Sequence, residues 1–278
     1  MLSTDYSISP QDLWNAIATQ MAPQIIDVRR HDAFEQSPHL LPGALWRDAS
    51  KAQQWESDFD PARPIIAACK AGHEMSQATV AQLRANGIDA RVLEGGYEGW
   101  TKAGLPFVAK MELERIATRR PSIWVTRRRP KIDRIACPWL IRRFIDPEAE
   151  FIYVPAKDVL KVAKETGGTP YDIDGVEFTH EGERCSFDTI LRIYGIKDAA
   201  LDHLAEIVRG ADTSRHDLAP QCGGLFAISL GLSANFPDDH EMLGHGMVMY
   251  DALYTWCRSL QAETHNWPAT AVKEPRRG

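Results

Sequence analysis

No stretch of this 278-residue chain approaches the ~20 consecutive apolar residues that a membrane span requires. The opening MLSTDYSISP has no basic segment leading into an apolar run, so a cytoplasmic protein with no membrane partner is expected. Cysteine is scarce. The five present, Cys69, Cys137, Cys185, Cys222 and Cys257, are odd in number and contain no CxxC pair, which argues against a disulfide framework or a zinc ribbon. An excess of positive charge is missing as well. With 32 basic against 38 acidic residues and a net charge of -6, the chain has no global pull toward nucleic acid or an anionic bilayer. Internal repeats and low-complexity tracts are absent, and 17 Pro and 19 Gly are ordinary for a globular protein. The length suits two domains, each large enough to bury a core.

What is present alternates in period. Ser9, Pro10 and Asp12 form a cap, a helix-compatible proline and an early acid ahead of Leu13, Trp14, Ile17 and Met21, which share one helical face. QIIDVRR is a short apolar run, HDAFEQS a helical turn and HLLPGA a loop; residues 51–60 are polar helix or loop. PIIAACK has strand length and ends at Cys69. Ala78, Val80, Ala81 and Leu83 suit a helix stopping at Asn86-Gly87, ARVLEGG a second buried strand, and GYEGWTKAG a closing helix. Short apolar strands alternating with helices predict an α/β domain with a parallel sheet and flanking helices over residues 1–107. Residues 108–121 read as a connecting helix. Residues 122–261 form a second, mixed α/β or α+β domain in which two strand-like runs flank an arginine-rich amphipathic segment. LDHLAEIVRGAD and HEMLGHGMVMYDALYTWCRSL have helical spacing, so this domain ends in helices, followed by a polar tail at 262–278.

The first chemical feature is CKAGHEMS, between a buried strand and a helix. A loop at the carboxyl end of a parallel strand that turns into a helix aims backbone N-H groups and a positive dipole end at one point. A thiolate there is stabilised and becomes a nucleophile. Taken alone, Cys69 is equally compatible with a small buried hydrophobe at a strand end. The ordered set of DVR, HLLPGA, CKAGHEMS and LEGGYEGW over residues 9–107 resembles the rhodanese family. The resemblance implies that Cys69 carries sulfane sulfur as a persulfide without any cofactor. It also implies that the loop of Lys70, Ala71, Gly72, His73, Glu74, Met75 and Ser76 cradles the sulfur and its leaving anion. Asp27 and Arg29 then organise the domain. Glu74 and Met75 stand where the commonest family pattern has an arginine and a serine. An acid there repels a dianion such as thiosulfate, with Lys70 and His73 in partial compensation, so a thiol persulfide such as that of glutathione is the expected donor. A phosphatase, which needs a loop arginine, ranks lower.

The second feature is a basic run with Arg127, Arg134, Arg142 and Arg143, compatible with a solvated helix face or with an oxyanion site. Histidines and acids gather at VEFTHEGERCSFD and PDDHEMLGHG. If a metal such as Fe, Mn or Zn binds, His180 and His240 are the first ligands, with Glu177, Asp188 and Asp239 as carboxylate candidates and Cys185 as a softer one. Helix caps are the plainer role for such acids. The strings TRRRPKIDRIACPWLIRRFIDPEAEFIYVP, GTPYDIDGVEFTHEGERCSFD and DDHEMLGHGMVMYDALYTWC resemble the C-terminal domain of the chromate-resistance family called ChrB. That resemblance implies chromate resistance or chromate-responsive regulation, with chromate as an oxyanion partner. Some family members carry a DNA-binding region where this chain has its rhodanese-like part, so direct DNA binding is not expected.

The primary expectation is sulfur transfer through Cys69 coupled to a domain that binds a metal or an oxyanion, in chromate or thiol-stress detoxification. Two alternatives stand beside it. One is a chromate or metal sensor whose rhodanese-like part is a docking module. The other is a metal-dependent redox enzyme, acting on superoxide or chromium, in the second domain.

Overall fold

The computed structural model describes residues 5–19, 21–112 and 121–263. In the first unit the strands are β1 (Ser7–Ile8), β2 (Gln24–Asp27), β3 (His39–Leu40), β4 (Ala44–Trp46), β5 (Ile65–Ala68) and β6 (Ala90–Leu93). Five of them form one parallel sheet in the order β1-β6-β5-β2-β4. The central strand β5 is buried at all four residues, as a sheet covered on both faces demands. The helices are α1 (Pro10–Ala16), α2 (His31–Glu35), α3 (Ala52–Trp55), α4 (Glu74–Ala85) and α5 (Gly96–Lys102).

The Ser9 side chain accepts the Asp12 amide at the start of α1, as its sequence predicts. That helix ends sooner than the apolar spacing suggests. Ile17 has extended backbone and Ala18 a positive φ of 60°, so Leu13, Trp14 and Ile17 are buried while Met21 is 60% exposed. On α4, Val80 and Leu83 face the core with Ser76 and Thr79, whereas Ala78 and Ala81 lie outward. Strand β1, too short for any periodicity, escaped the sequence reading. Val108–Ala109, expected to open a connecting helix, is instead strand β7, paired antiparallel with β3. The rest of that segment at 113–120, and the tail at 264–278, lie outside the described residues.

The second unit has a small parallel sheet, β10-β8-β9, made of β8 (Ile123–Arg127), β9 (Glu150–Val154) and β10 (Thr169–Pro170). Around it lie α6 (Asp133–Leu140), α7 (Val159–Thr166), α8 (Ser186–Ile193), α9 (Ala199–Asp212), α10 (Cys222–Asn235) and α11 (Asp239–Thr255). The fold is therefore a five-stranded parallel α/β domain followed by a small parallel sheet with many helices.

The two units share a core. Trp14 packs on Trp100 and on Phe144, with ring centroids 6.0 and 5.7 Å away, and the Gly43 amide donates to the Phe144 carbonyl at 2.7 Å. Among the described residues no helix is long and apolar enough to cross a membrane.

Candidate functional site

Cys69 directly follows β5, and the chain turns through Gly72 into α4. The turn is possible because a second glycine-bearing loop lies backbone to backbone against it. Gly72 has φ +72°, and a Cβ there would stand 2.8 Å from the Gly95 nitrogen. At Gly96, a Cβ would fall 2.2 Å from the Cys69 carbonyl oxygen. The amides of Tyr97 and Glu98 instead donate to the carbonyls of Cys69 and Lys70, both at 2.9 Å. LEGGYEGW thus clamps the Cys69 loop through its missing side chains.

The Cys69 sulfur lies 3.2 Å from the Ser76 hydroxyl. Burial alone would push the thiol up. Hydrogen bonds from the Ser76 side chain and from the backbone of Ser76, Ala71 and His73 outweigh it, so the Cys69 pKa lies below that of an ordinary thiol. Ser76 also reaches the His73 carbonyl at 3.1 Å, so its single proton is shared between two acceptors.

A cleft of about 430 Å³ opens over the sulfur, lined in part by Arg29, Arg30, Lys70, His73, Glu74 and Met75. Arg29 and Arg30 were not anticipated as cleft walls. Arg29 is tied to Asp27 by a buried ion pair of 2.5 Å and lies 4.2 Å over the Tyr97 ring, so Asp27 and Arg29 organise this wall. Lys70 is 3.8 Å from Glu98, and Glu74 is exposed in the first turn of α4.

The second cluster is built from side chains. Asp133 opens α6, is fully buried, and accepts the amides of Ser186 and Phe187 at 2.7 and 3.0 Å, fastening the start of α8. The Cys137 thiol also donates to it at 3.3 Å. Pro138 carries no N-H for the Arg134 carbonyl one turn back, and the Tyr171 hydroxyl reaches that carbonyl at 3.5 Å. The ligand atoms of Asp133, His180 and Asp212 all lie within 4.8 Å of one another. His180 Nε2 is 3.2 Å from Asp212, 3.5 Å from Asp172 and 3.7 Å from Asp133. Side-chain hydrogen bonds to Asp172 and Asp212 push its pKa up to about 10. Burial first, then the charges of Asp172 and Asp212, push the Asp133 carboxyl up to about 8. Burial and the neighbouring Asp133 charge raise the Cys137 and Cys185 thiols, the reverse of Cys69.

Of the residues predicted from sequence, His180 alone belongs to this cluster. Asp188 caps α8 by accepting the Cys185 amide at 3.0 Å, Asp239 accepts the Arg129 amide at 3.0 Å, and His240 packs edge-on against Tyr153. Glu177 is exposed in the loop before His180. Asp133, Asp172 and Asp212 were missed because they come from three distant segments.

The four arginines all engage groups of their own domain. Arg127 and Arg134 each reach the Oδ2 atom of Asp172 at 3.2 Å. Arg143 grips Asp251 at 2.9 and 2.7 Å, while Arg142 donates to the Ala149 carbonyl and covers the Phe151 ring. Three of the four candidate arginines are thus paired with carboxylates and the fourth with a backbone carbonyl within the second domain.

Together these features define a thiol-centred α/β domain fused to a helix-rich domain with a carboxylate-imidazole cluster. The family described as rhodanese-like domain matches residues 9–103, and that described as ChrB, C-terminal domain, matches residues 124–257. The chain belongs to the rhodanese-like family through its N-terminal domain and carries a ChrB C-terminal domain after it.

Protein ChrB of Cupriavidus metallidurans is 36% identical over 133 residues, which cover 48% of this chain and 40% of that protein. The chain thus matches less than half the length of that relative. Thiosulfate sulfurtransferase GlpE of Actinobacillus succinogenes is 32% identical over 100 residues, 36% of this chain and 86% of the relative. A rhodanese-like domain protein from Staphylococcus aureus aligns at 29% identity and a TM-score of 0.31, covering 34% of this chain and 90% of its own.

Proposed function

We propose that the N-terminal domain transfers sulfane sulfur through a persulfide on Cys69. The observation that carries this is the lowered thiol at the floor of an open cleft, hydrogen-bonded by Ser76 and the start of α4. The thiolate attacks the outer sulfur of a donor persulfide, forming a sulfur-sulfur bond on Cys69 while the donor's own sulfur-sulfur bond breaks and its thiolate leaves. An acceptor nucleophile then takes the outer sulfur and regenerates the thiolate.

Glu74 on the cleft wall favours a thiol persulfide such as that of glutathione over dianionic thiosulfate, while Arg30 and Lys70 suit a donor carrying carboxylates. A chain bearing Cys69→Ser is expected to gain no sulfur in intact-mass measurement after exposure to glutathione persulfide, and to lose turnover. Undiminished transfer by that variant would overturn the assignment.

In the second domain, the reading favoured is a divalent metal held by Asp133, His180 and Asp212. Three carboxylates converge on one imidazole nitrogen, which can offer only one proton, and a divalent cation would take that nitrogen together with Asp133 and Asp212 as ligands. This oxygen-rich set suits Mn²⁺ or Fe²⁺, with Zn²⁺ next, and the ion would supply Lewis-acid or redox chemistry at this cluster.

Calorimetric titration of chelator-treated protein with each ion tests it. Stoichiometric binding lost in His180→Ala is expected, and no binding of any of the three ends the reading. Service in chromate or thiol stress follows as a proposal from the similarity to Protein ChrB.

A further inference from the structure

The cleft beside His180 is larger than an ion needs. It holds about 590 Å³, lined in part by Arg127, Lys157, Leu160, Asp172, Ile173 and His180. A single water occupies only about 30 Å³ of liquid.

Its lining has two characters. On the charged side, Arg127 gives one terminal nitrogen to Asp172, while its buried Nε has no hydrogen-bond partner. Lys157 is exposed and has no ion pair among the described residues. On the apolar side, Leu160 is 58% exposed on α7, with Ile173 beside it in the lining. Between them stands Asp172, whose Oδ2 faces Arg127 and Arg134 and whose Oδ1 faces His180 at 3.5 Å. The guanidinium and the imidazole are therefore one carboxylate apart.

We infer that this cleft binds a small organic anion, its charged head between Lys157, Arg127 and the metal, its apolar body against Leu160. The inference rests on the metal reading above, because the ion would offer the head a direct ligation position beside Arg127 and Lys157, whose charges Asp172 and Asp174 oppose on the cleft wall. A carboxylate or phosphonate head fits the planar fork of Arg127, and the apolar wall separates such a ligand from inorganic ions.

The test uses the full chain, Mn²⁺, and two probes, phenylphosphonate and inorganic phosphate. Phenylphosphonate is expected to bind the Mn²⁺-loaded protein about tenfold more tightly than the metal-free protein and more tightly than phosphate does. Bound Mn²⁺ should broaden its ³¹P resonance beyond the effect of the same concentration of free Mn²⁺. Lys157→Glu, a surface change, should weaken phenylphosphonate about tenfold while leaving Mn²⁺ affinity within about twofold. Leu160→Ala should erase the preference over phosphate.

Mn²⁺ binding with no excess broadening, or equal phenylphosphonate affinity in Lys157→Glu and the parent, would overturn the anion cleft alone. Absence of Mn²⁺ binding would overturn it together with the manganese site.

Discussion

The two domains treat a buried thiol in opposite ways. Around Cys69, stabilisation comes from one hydroxyl and from backbone groups of the loop that opens α4, and the sulfur ionises more readily than a free cysteine. Around Cys137 and Cys185 the nearest polar groups are carboxylates, and burial with their charge holds both thiols protonated. Chain geometry therefore lowers the thiol of the first domain, while burial and side-chain charge raise the thiols beside the carboxylate-imidazole cluster of the second.

The strongest way to break this contrast is to disturb the backbone that shapes the first site. Gly96→Ala places a methyl group 2.2 Å from the Cys69 carbonyl oxygen and 2.6 Å from the Gly72 nitrogen, atoms that no side-chain rotation can move aside. A loss of roughly 4 kcal/mol in urea unfolding is expected, with Cys69 alkylation slowed in whatever folds. Stability within 1 kcal/mol of the parent would mean that the two loops do not depend on each other.

Asp133→Ala is the matching disturbance in the second domain. It leaves the buried amides of Ser186 and Phe187 without an acceptor while relieving repulsion from Asp172 and Asp212, for a net loss of about 3 kcal/mol. The same unfolding measurement decides it. A stabilised variant would show that like-charge repulsion outweighs the helix-start hydrogen bonds.

The contrast also explains which parts were legible in the sequence. The Cys69 site is local: a strand, a turn and a helix in consecutive residues carry the thiol, Ser76 and the dipole end. Its one remote element, the Gly95-Gly96 loop, announces itself by paired glycines. The second cluster gathers Asp133 from the start of α6, Asp172 and His180 from a loop, and Asp212 from the last residue of α9. Proximity in sequence suggested Glu177, Asp188, Asp239 and His240 instead, and two of those, Asp188 and Asp239, are engaged with backbone amides.

The partners of the arginine run were illegible for a related reason. Its partners Asp172 and Asp251 lie 38 and more residues away, so a pattern that reads as an open basic patch folds into internal ion pairs. Asp133 and Asp212 carried one weak signal: an acid at the beginning or end of a strongly apolar helix. That signal favours a cap, which is half of what Asp133 does.

A milder probe sharpens the comparison at the sulfur itself. Ser76→Ala removes the 3.2 Å contact to Cys69 and keeps the backbone groups. Loss of one such hydrogen bond, worth about 1 kcal/mol, should slow iodoacetamide alkylation of Cys69 about fivefold at neutral pH and move its pH midpoint upward. Cys137 and Cys185 should stay unlabelled in parent and variant alike until the protein unfolds. An unchanged Cys69 midpoint would assign its activation to the helix start alone.

The smallest expected effect lies in the pH dependence of stability, measured with chelator present. His180 has a folded pKa near 10 against an ordinary 6.5, so its stabilising contribution is fully present below about 6.5 and is lost as pH rises toward about 10. Asp133, raised to about 8 from 3.8, has the same sign in a lower window, its contribution fading as pH climbs from about 4 to about 8. Urea midpoints should therefore fall from pH 6.5 to 9. His180→Ala should remove the upper part of that decline and leave the lower part. Because the His180 side chain is 38% exposed, water screens its ion pairs and the slope is shallow. A parent protein whose stability rises across this window would contradict the carboxylate cage around His180, and with it the geometric reason for placing a cation there.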